Sequence, residues 1–389
     1  MYSIQVSSEQ KKAIESLLKW FVDPHRKPFI TLGGYAGTGK TTLIAEFKNE
    51  LYKRNKNCKF AFCSYTGRAA QNLKNRLKVE HALGSKDTIS TIHGLIYDPI
   101  ENNQGVIVGW SRKEELEKDL IIVDEASMID APIWRDLLSY QIPILAVGDH
   151  GQLPPIQGEF NLMAKPDLVL HQIHRQAKDN PIIAVSALAR QTGKIPIQSF
   201  GSGVVKYSRN DPEAQTLNGE LLAKYTSDTL ILCGFNATRV KINQFIRTEL
   251  GFENALPAVR DRVICLRNNQ TKGVYNGMLG TILTIKKEEK EWYQAEIQMD
   301  DSVAIFEGLL YAPQFGAQSA INFTKDRIQA ARGDLFDFGY ALTVHKAQGG
   351  QAKRVILFEE RSQHMTDDMW KKWLYTAVTR AEEELYIFG

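Results

Sequence analysis

The sequence predicts an α/β protein of two units, each a parallel sheet covered by helices. A small hairpin interrupts the first unit and a β-rich, barrel-like insertion interrupts the second. Three observations carry this reading. Short apolar strands alternate with amphipathic helices, the alternation lapses and then returns late in the chain, and two turn-rich segments break its rhythm. At 389 residues the chain is long enough for two cores and an insertion or two.

The elements follow in order. Residues 8–21, SEQKKAIESLLKWF, place Ile14, Leu17, Leu18 and Phe21 at helical spacing behind serines able to cap the helix. PFITL (28–32) is an apolar strand running into a glycine loop, and TTLIAEFKNELYKR (41–54) is the helix after it. CKFAFCSY, DLIIVDEAS and IPILAVGD are three further strands, with helices in GRAAQNLKNRL and APIWRDLLSY. The second unit repeats the alternation: strand DTLILCGFN, helix ATRVKINQFIRTEL, strands FGYALTVHK and RVILFEE, helix MWKKWLYTAVT, strand LYIFG. Between Tyr97 and Lys118 an Asn-Asn-Gln-Gly turn flanked by short apolar runs reads as a hairpin. VICLR, GTILTI, WYQAEIQM and VAIFEG make residues 263–332 the β-rich insertion. The expected division is therefore 1–178 with the 97–118 hairpin, 179–262 joined to 333–389, and 263–332.

Composition excludes several classes. Hydrophobic content of 43% and charged content of 24% are those of a soluble globular protein. No apolar run reaches the roughly 18 residues that a membrane span needs. The polar start MYSIQVSSEQ lacks the layout of a secretion signal. Four cysteines without a CxxC pair point to neither a zinc site nor a disulfide framework, so reducing cytoplasm is the expected location. A net charge of +3 is compatible with a nucleic-acid partner without arguing for one.

The chemistry begins at Gly34, followed after four residues by Gly39-Lys40-Thr41. Glycines let backbone N–H groups wrap phosphates, Lys40 supplies charge to the β- and γ-phosphates, Thr41 offers a hydroxyl to Mg²⁺, and the following helix points its positive end at the site. Independently, LIIVDEAS delivers Asp124 and Glu125 to the carboxyl end of a strand, where open α/β sheets bind ligands. Asp124 suits Mg²⁺ coordination and Glu125 suits polarising the attacking water. These features define an ATPase or GTPase core. Asp149 and Gln152 follow the next strand, Arg175 ends the first unit, and Arg380 lies far along the second. An arginine reaching a γ-phosphate from another domain makes hydrolysis sensitive to domain closure, although on spacing alone Arg175 reads equally as a surface arginine.

In order, GGYAGTGKTT, YTGRAAQNL, STIHGLI, VDEAS, GDHGQLPPI, IHRQ, LTVHKAQGGQ and LYTAVTRA resemble the motif series of superfamily 1 DNA helicases, closest to the RecD-like and Dda-like branch, superfamily 1B. The series runs from about residue 10 to 380. The resemblance implies two tandem RecA-like domains, a strand-separating pin at 97–118 and an SH3-like subdomain around VYNGMLGTI. It implies ATP, read through Gln10, with Gly34, Ala36, Gly37, Thr38, Gly39, Lys40, Thr41, Thr42 and Gly349 around the nucleotide. It makes Thr41 and Asp124 the Mg²⁺ ligands, Glu125 the base, Gln152 the link from γ-phosphate to DNA, and Arg175 and Arg380 the pair that stabilises the transferring phosphoryl. Single-stranded DNA falls to Thr66, Arg68 and His93 in the first unit and Thr343, His345 and Lys346 in the second.

Two positions depart from the pattern: Tyr65 stands where the family often has proline, and Gly350-Gln351 follow HKAQG where RecD proteins usually carry Ser-Glu. The chain starts shortly before its first motif, so no amino-terminal docking module is expected. Tyr97 and Trp110 are candidates for base stacking or for packing within the hairpin, and His93 and His345 read as ligands inside the motif but as structural histidines outside it. The expected activity is a monomeric, ATP-dependent 5′→3′ helicase acting on single strands and junctions, with replication or repair proteins as partners. The rival readings are a translocase that does not unwind and an ATPase subunit of a recombination complex.

Overall fold

The computed structural model describes residues 6–101, 107–155, 160–173, 180–267, 269, 272, 274, 276–300, 305–321, 329 and 332–389. The chain divides into two compact units, Met1–Asp98 with Ser111–Ile183 and Pro99–Trp110 with Ala184–Gly389.

The chain enters the first unit through helix α1 (Ser8–Val22), fixed by a capping box in which the Ser7 hydroxyl accepts from the Gln10 N–H and the Gln10 side chain returns to the Ser7 N–H. There follow β1 (Phe29–Gly34), α2 (Lys40–Arg54), β2 (Phe60–Ser64), α3 (Gly67–Val79), β3 (Thr88–Thr91) and the short α4 (Ile92–Ile96). The two strands β4 (Tyr97–Glu101) and β5 (Ile107–Arg112) pair only with each other. Beyond them come β6 (Leu120–Asp124), α5 (Ala131–Leu138), β7 (Ile144–Gly148) and β8 (Leu168–Leu170). Six strands form one parallel sheet in the order β3-β2-β6-β7-β1-β8. Alternation along β2 explains why both faces are covered. Phe60 and Phe62 join α1, α2 and α3 in one cluster, while Ala61 and Cys63 join Ile92, Ile133 and Trp134 on the other face.

Helix α6 (Pro181–Thr192) is followed by β9 (Ser199–Gly201), β10 (Val204–Tyr207), α7 (Pro212–Ala223), β11 (Thr229–Cys233) and α8 (Asn236–Glu249). The chain then builds β12 (Arg262–Cys265), β13 (Leu279–Lys287), β14 (Trp292–Met299), β15 (Ile305–Tyr311) and β16 (Phe336–Phe338), an antiparallel sheet in the order β15-β14-β13-β12-β16. It returns through β17 (Ala341–Thr343), β18 (Ala352–Phe358), α9 (Asp367–Val378) and β19 (Ala381–Phe388) to complete a second sheet, β17-β11-β18-β19-β10-β9, parallel except at its β9 edge.

The run FGYALTVHK, read from sequence as one strand, is divided. Phe338 closes β16 against Val263, whereas Ala341 opens β17 beside Ile231. Between them Gly339 passes so close to Val263 that a Cβ there would lie 2.7 Å from its carbonyl carbon, and the Tyr340 hydroxyl donates to Asp261. Two buried ion pairs fix this region. Arg247 holds Asp261 through Nε and Nη2 at 2.8 and 3.0 Å, and Arg239 Nη1 meets Asp337 Oδ2 at 2.8 Å.

Candidate functional site

β1 ends in the glycine loop. Gly37 and Gly39 take φ of 79° and 73°, the left-handed region open to glycine at little cost. Gly39 also caps α2 without any side-chain acceptor, which leaves the positive end of that helix facing the loop. A Cβ on Gly34 would lie 2.6 Å from Thr38 Oγ1, so the loop closes only around glycine there. Lys40 Nζ donates to the carbonyls of Gly34 (2.7 Å) and Tyr35 (3.1 Å), and the Thr38 hydroxyl donates to Tyr35 at 2.8 Å. Ala36, Thr41 and Thr42 are half-buried, and the Thr42 hydroxyl bonds Glu80 of the residue after α3 at 3.3 Å. Gln10 is buried. Its amide nitrogen donates to the Gly39 carbonyl at 3.1 Å while its amide oxygen serves the capping box, so it braces the loop from α1.

Two strands away, β6 carries Asp124 to the same edge of the sheet. Desolvation pushes its carboxyl above the usual value, opposed by the Glu125 N–H and by the charges of Lys40 and Arg76. A desolvated carboxylate beside a lysine is a fitting ligand for a cation. Among the described residues no cluster of three or more His, Cys, Asp or Glu could hold a metal ion. Glu125 adopts φ 52° and ψ 39°, a left-handed conformation that costs a non-glycine residue about 1–3 kcal/mol and recurs at functional sites. Beyond β7, Asp149 is buried and its Oδ1 accepts from the Gly151 N–H at 2.9 Å. Gln152 is 5% exposed, and its Oε1 has no partner among the described residues.

Arg175 lies outside the described residues. Arg380, 3% exposed, donates from Nε to the Thr376 carbonyl (3.0 Å), from Nη1 to Gly350 (3.1 Å) and from Nη2 to Thr379 Oγ1 (3.2 Å). No carboxylate among the described residues pairs with it. A buried guanidinium held by neutral oxygens retains its charge for an anion. Gly349, with φ 75°, forms the turn just before that carbonyl.

For the strand-binding candidates, Thr66 caps α3 by accepting from the Ala69 N–H at 3.2 Å. Arg68 is in α3, but its side chain lies outside the described set, as does that of Trp110 on β5. His93, in α4, is half-buried with its ring 5.5 Å from that of Tyr97, and desolvation lowers its pKa, partly offset by Asp130. Tyr97 donates its hydroxyl to Asp136 of α5, which uses its polar end in packing. Thr343 ends β17, and the Lys346 N–H donates to its carbonyl at 2.9 Å. Burial lowers the pKa of His345, and burial together with Arg239 lowers that of Lys346 against the pull of Asp337.

The first unit thus brings Gln10, the phosphate loop, Asp124, Glu125 and Gln152 to the carboxyl edge of one sheet, with Thr66 and His93 beyond β2 and β3 on the same edge. The second unit groups Gly349 with Arg380, and Thr343 with His345 and Lys346. Sequence reasoning did not find Tyr35, Arg76, Glu80, Asp130 or His150, whose places at the site depend on tertiary neighbours.

The family described as an AAA domain matches residues 20–158, and the family described as a UvrD-like helicase C-terminal domain matches residues 338–388. The chain is 27% identical to the ATP-dependent RecD2 DNA helicase of Deinococcus radiodurans over 99% of this chain and 49% of that protein. It is 24% identical to the RecBCD enzyme subunit RecD of Buchnera aphidicola over 93% and 70% respectively. The chain therefore spans about half the length of the RecD2 protein. Among solved structures, Pif1 helicase from Bacteroides in complex with ADP-AlF3 and single-stranded DNA superposes with a TM-score of 0.57 at 17% identity, covering 98% of this chain and 92% of that one. At that identity the likeness is one of fold. With eight motifs in order, both family matches and relatives aligned along nearly its whole length, the chain is similar to the RecD-like helicases of superfamily 1B.

Proposed function

We propose that this protein is an ATP-dependent DNA helicase that translocates 5′→3′ on single-stranded DNA. The observation that carries the reading is the shared sheet edge. Lys40, Asp124, Glu125 and Gln152 follow strands β1, β6 and β7, and the strand-binding candidates Thr66 and His93 follow the adjacent β2 and β3. A motor needs occupancy of its fuel site and of its track site to change each other's free energy, and neighbouring strands of one sheet bring the two sites close.

ATP enters with its phosphates in the Gly34–Thr41 loop. Thr41 and Asp124 would hold Mg²⁺, which would neutralise charge on the phosphates. Glu125 orients a water whose oxygen attacks the γ-phosphorus and takes its proton as the bond to ADP breaks. Gln152 connects that event to the DNA side, and Arg175 and Arg380 stabilise the transferring charge. Hydrolysis removes the γ-phosphate that these arginines would meet, and so shifts the conformational population. Thr343, His345 and Lys346 supply the second grip on the strand.

We assign 1–178 with the 97–118 pin and 179–262 with 333–389 as the two RecA-like domains, and 263–332 as an SH3-like insertion. Monomeric action on single strands and ss/ds junctions, in the cytoplasm and alongside replication, recombination or repair proteins, fits this reading. Four buried free thiols suit a reducing compartment. The relatives' printed activities, a DNA helicase and Pif1 bound to single-stranded DNA, support the choice of substrate.

The brief β4–β5 pair, of 5 and 6 residues, favours one second reading, a translocase that moves on single strands without separating duplexes. Unwinding assays with ATP and Mg²⁺ decide between them. A duplex with a 5′ tail should open, whereas 3′-tailed and blunt duplexes should not. Movement along single strands without opening of either tailed duplex would favour the translocase.

A further inference from the structure

One aromatic pair in the first unit is absorbed by none of the roles above. The rings of Tyr35 and His150 sit 4.2 Å apart, centre to centre, at 47°. Tyr35 belongs to the phosphate loop, and its carbonyl accepts from Lys40 Nζ and from both the N–H and the hydroxyl of Thr38. His150 belongs to the turn after β7, between buried Asp149 and buried Gln152. That turn is tight. The Gly151 N–H donates to Asp149 Oδ1 and the Gln152 N–H to the Asp149 carbonyl, so the backbone bearing His150 and Gln152 moves as one piece. The histidine lies beside the loop's other flank as well, where a Cβ added to Gly33 would come within 3.1 Å of His150 Nδ1. A single imidazole is therefore wedged against the residues on both sides of Gly34.

We infer that His150 is a positioning residue that clasps the phosphate loop to the Gln152 turn, so that nucleotide in the loop sets where the Gln152 amide points. This rests on the proposed ATPase reading. Two features support it physically. Aromatic contacts are orientation-dependent, so a shift of the Tyr35 backbone is felt by the tilted imidazole. Gln152 Oε1, buried and without a partner among the described residues, is the group whose direction the clasp would decide. Ring-to-ring contact is the function assigned to His150; proton transfer is not required of it.

The test compares His150→Ala, His150→Leu and His150→Phe in the full chain by steady-state ATP hydrolysis and by binding of slowly hydrolysed ATPγS. The Ala and Leu variants should bind ATPγS within about twofold of wild type while kcat falls about tenfold, the size expected when coupling rather than binding is lost. The Phe variant should return kcat to within about twofold, with an unchanged pH profile. An Ala variant with full kcat, or a Phe variant as slow as Leu, would overturn the clasp. Should Ala fail to fold, the Leu–Phe contrast still decides. Wild-type turnover that ignores single-stranded DNA would count against the motor reading and leave the clasp to be judged on kcat.

Discussion

At the scale of single residues, the site trades stability for function at Asp124. Its folded pKa is raised by desolvation, so between the ordinary 3.8 and the higher folded value the native state holds the proton that the unfolded chain has lost. Stability therefore falls as pH rises through that window and stays lower above it. Asp124→Asn removes an ionised, desolvated group. At pH 7.5 without nucleotide its Tm should exceed that of wild type while ATP hydrolysis is lost. A Tm below wild type would mean the carboxylate is better compensated than its surroundings indicate. Arg380 carries the complementary expectation. Its hydrogen bonds go to two carbonyls and a hydroxyl, and in its proposed role at the γ-phosphate Arg380→Ala should lower kcat about a thousandfold. An effect confined to KM would assign it to ground-state binding instead. Lys40, Asp124 and Glu125 were legible in the sequence because a glycine loop and an acid-capped strand have fixed chemistry. His150 and Glu80 were not, since an aromatic neighbour and a threonine partner 38 residues away leave no local pattern.

At the scale of elements, the strands that build the site are long enough to show. β1, β2, β6 and β7 are continuous apolar runs buried on both faces, and sequence reading placed all four. The short strands β3, β8 and β9, of 4, 3 and 3 residues, were not read as strands, because propensity over so few residues is weak beside tertiary pairing. The β-rich character of the insertion was legible, but the strand that completes its sheet, beyond the expected boundary at residue 332, was not. β16 follows a stretch without an apolar run and is held by its pairing with β12. In the second unit the strongest local restraint is the Arg247–Asp261 pair, whose side chains are 5% and 0% exposed and which ties α8 to the segment entering β12. Removing one partner strands the other charge, so Arg247→Ala should cost about 3–5 kcal/mol in urea unfolding. A change below about 1 kcal/mol would show that Asp261 is satisfied by Tyr340 and the Ala258 N–H alone.

At the scale of the whole molecule, the account makes one energetic demand: fuel and track must be coupled, each altering the protein's affinity for the other by the same factor. Affinity for the strand should also fall with salt, since phosphate contacts release counterions. The most direct measurement is steady-state ATP hydrolysis with and without an unstructured single-stranded oligonucleotide, using Lys40→Ala as the blank. Turnover should rise at least about tenfold on adding the strand, with none in the blank. Hydrolysis at the full rate without DNA, unchanged when DNA is added, would contradict it.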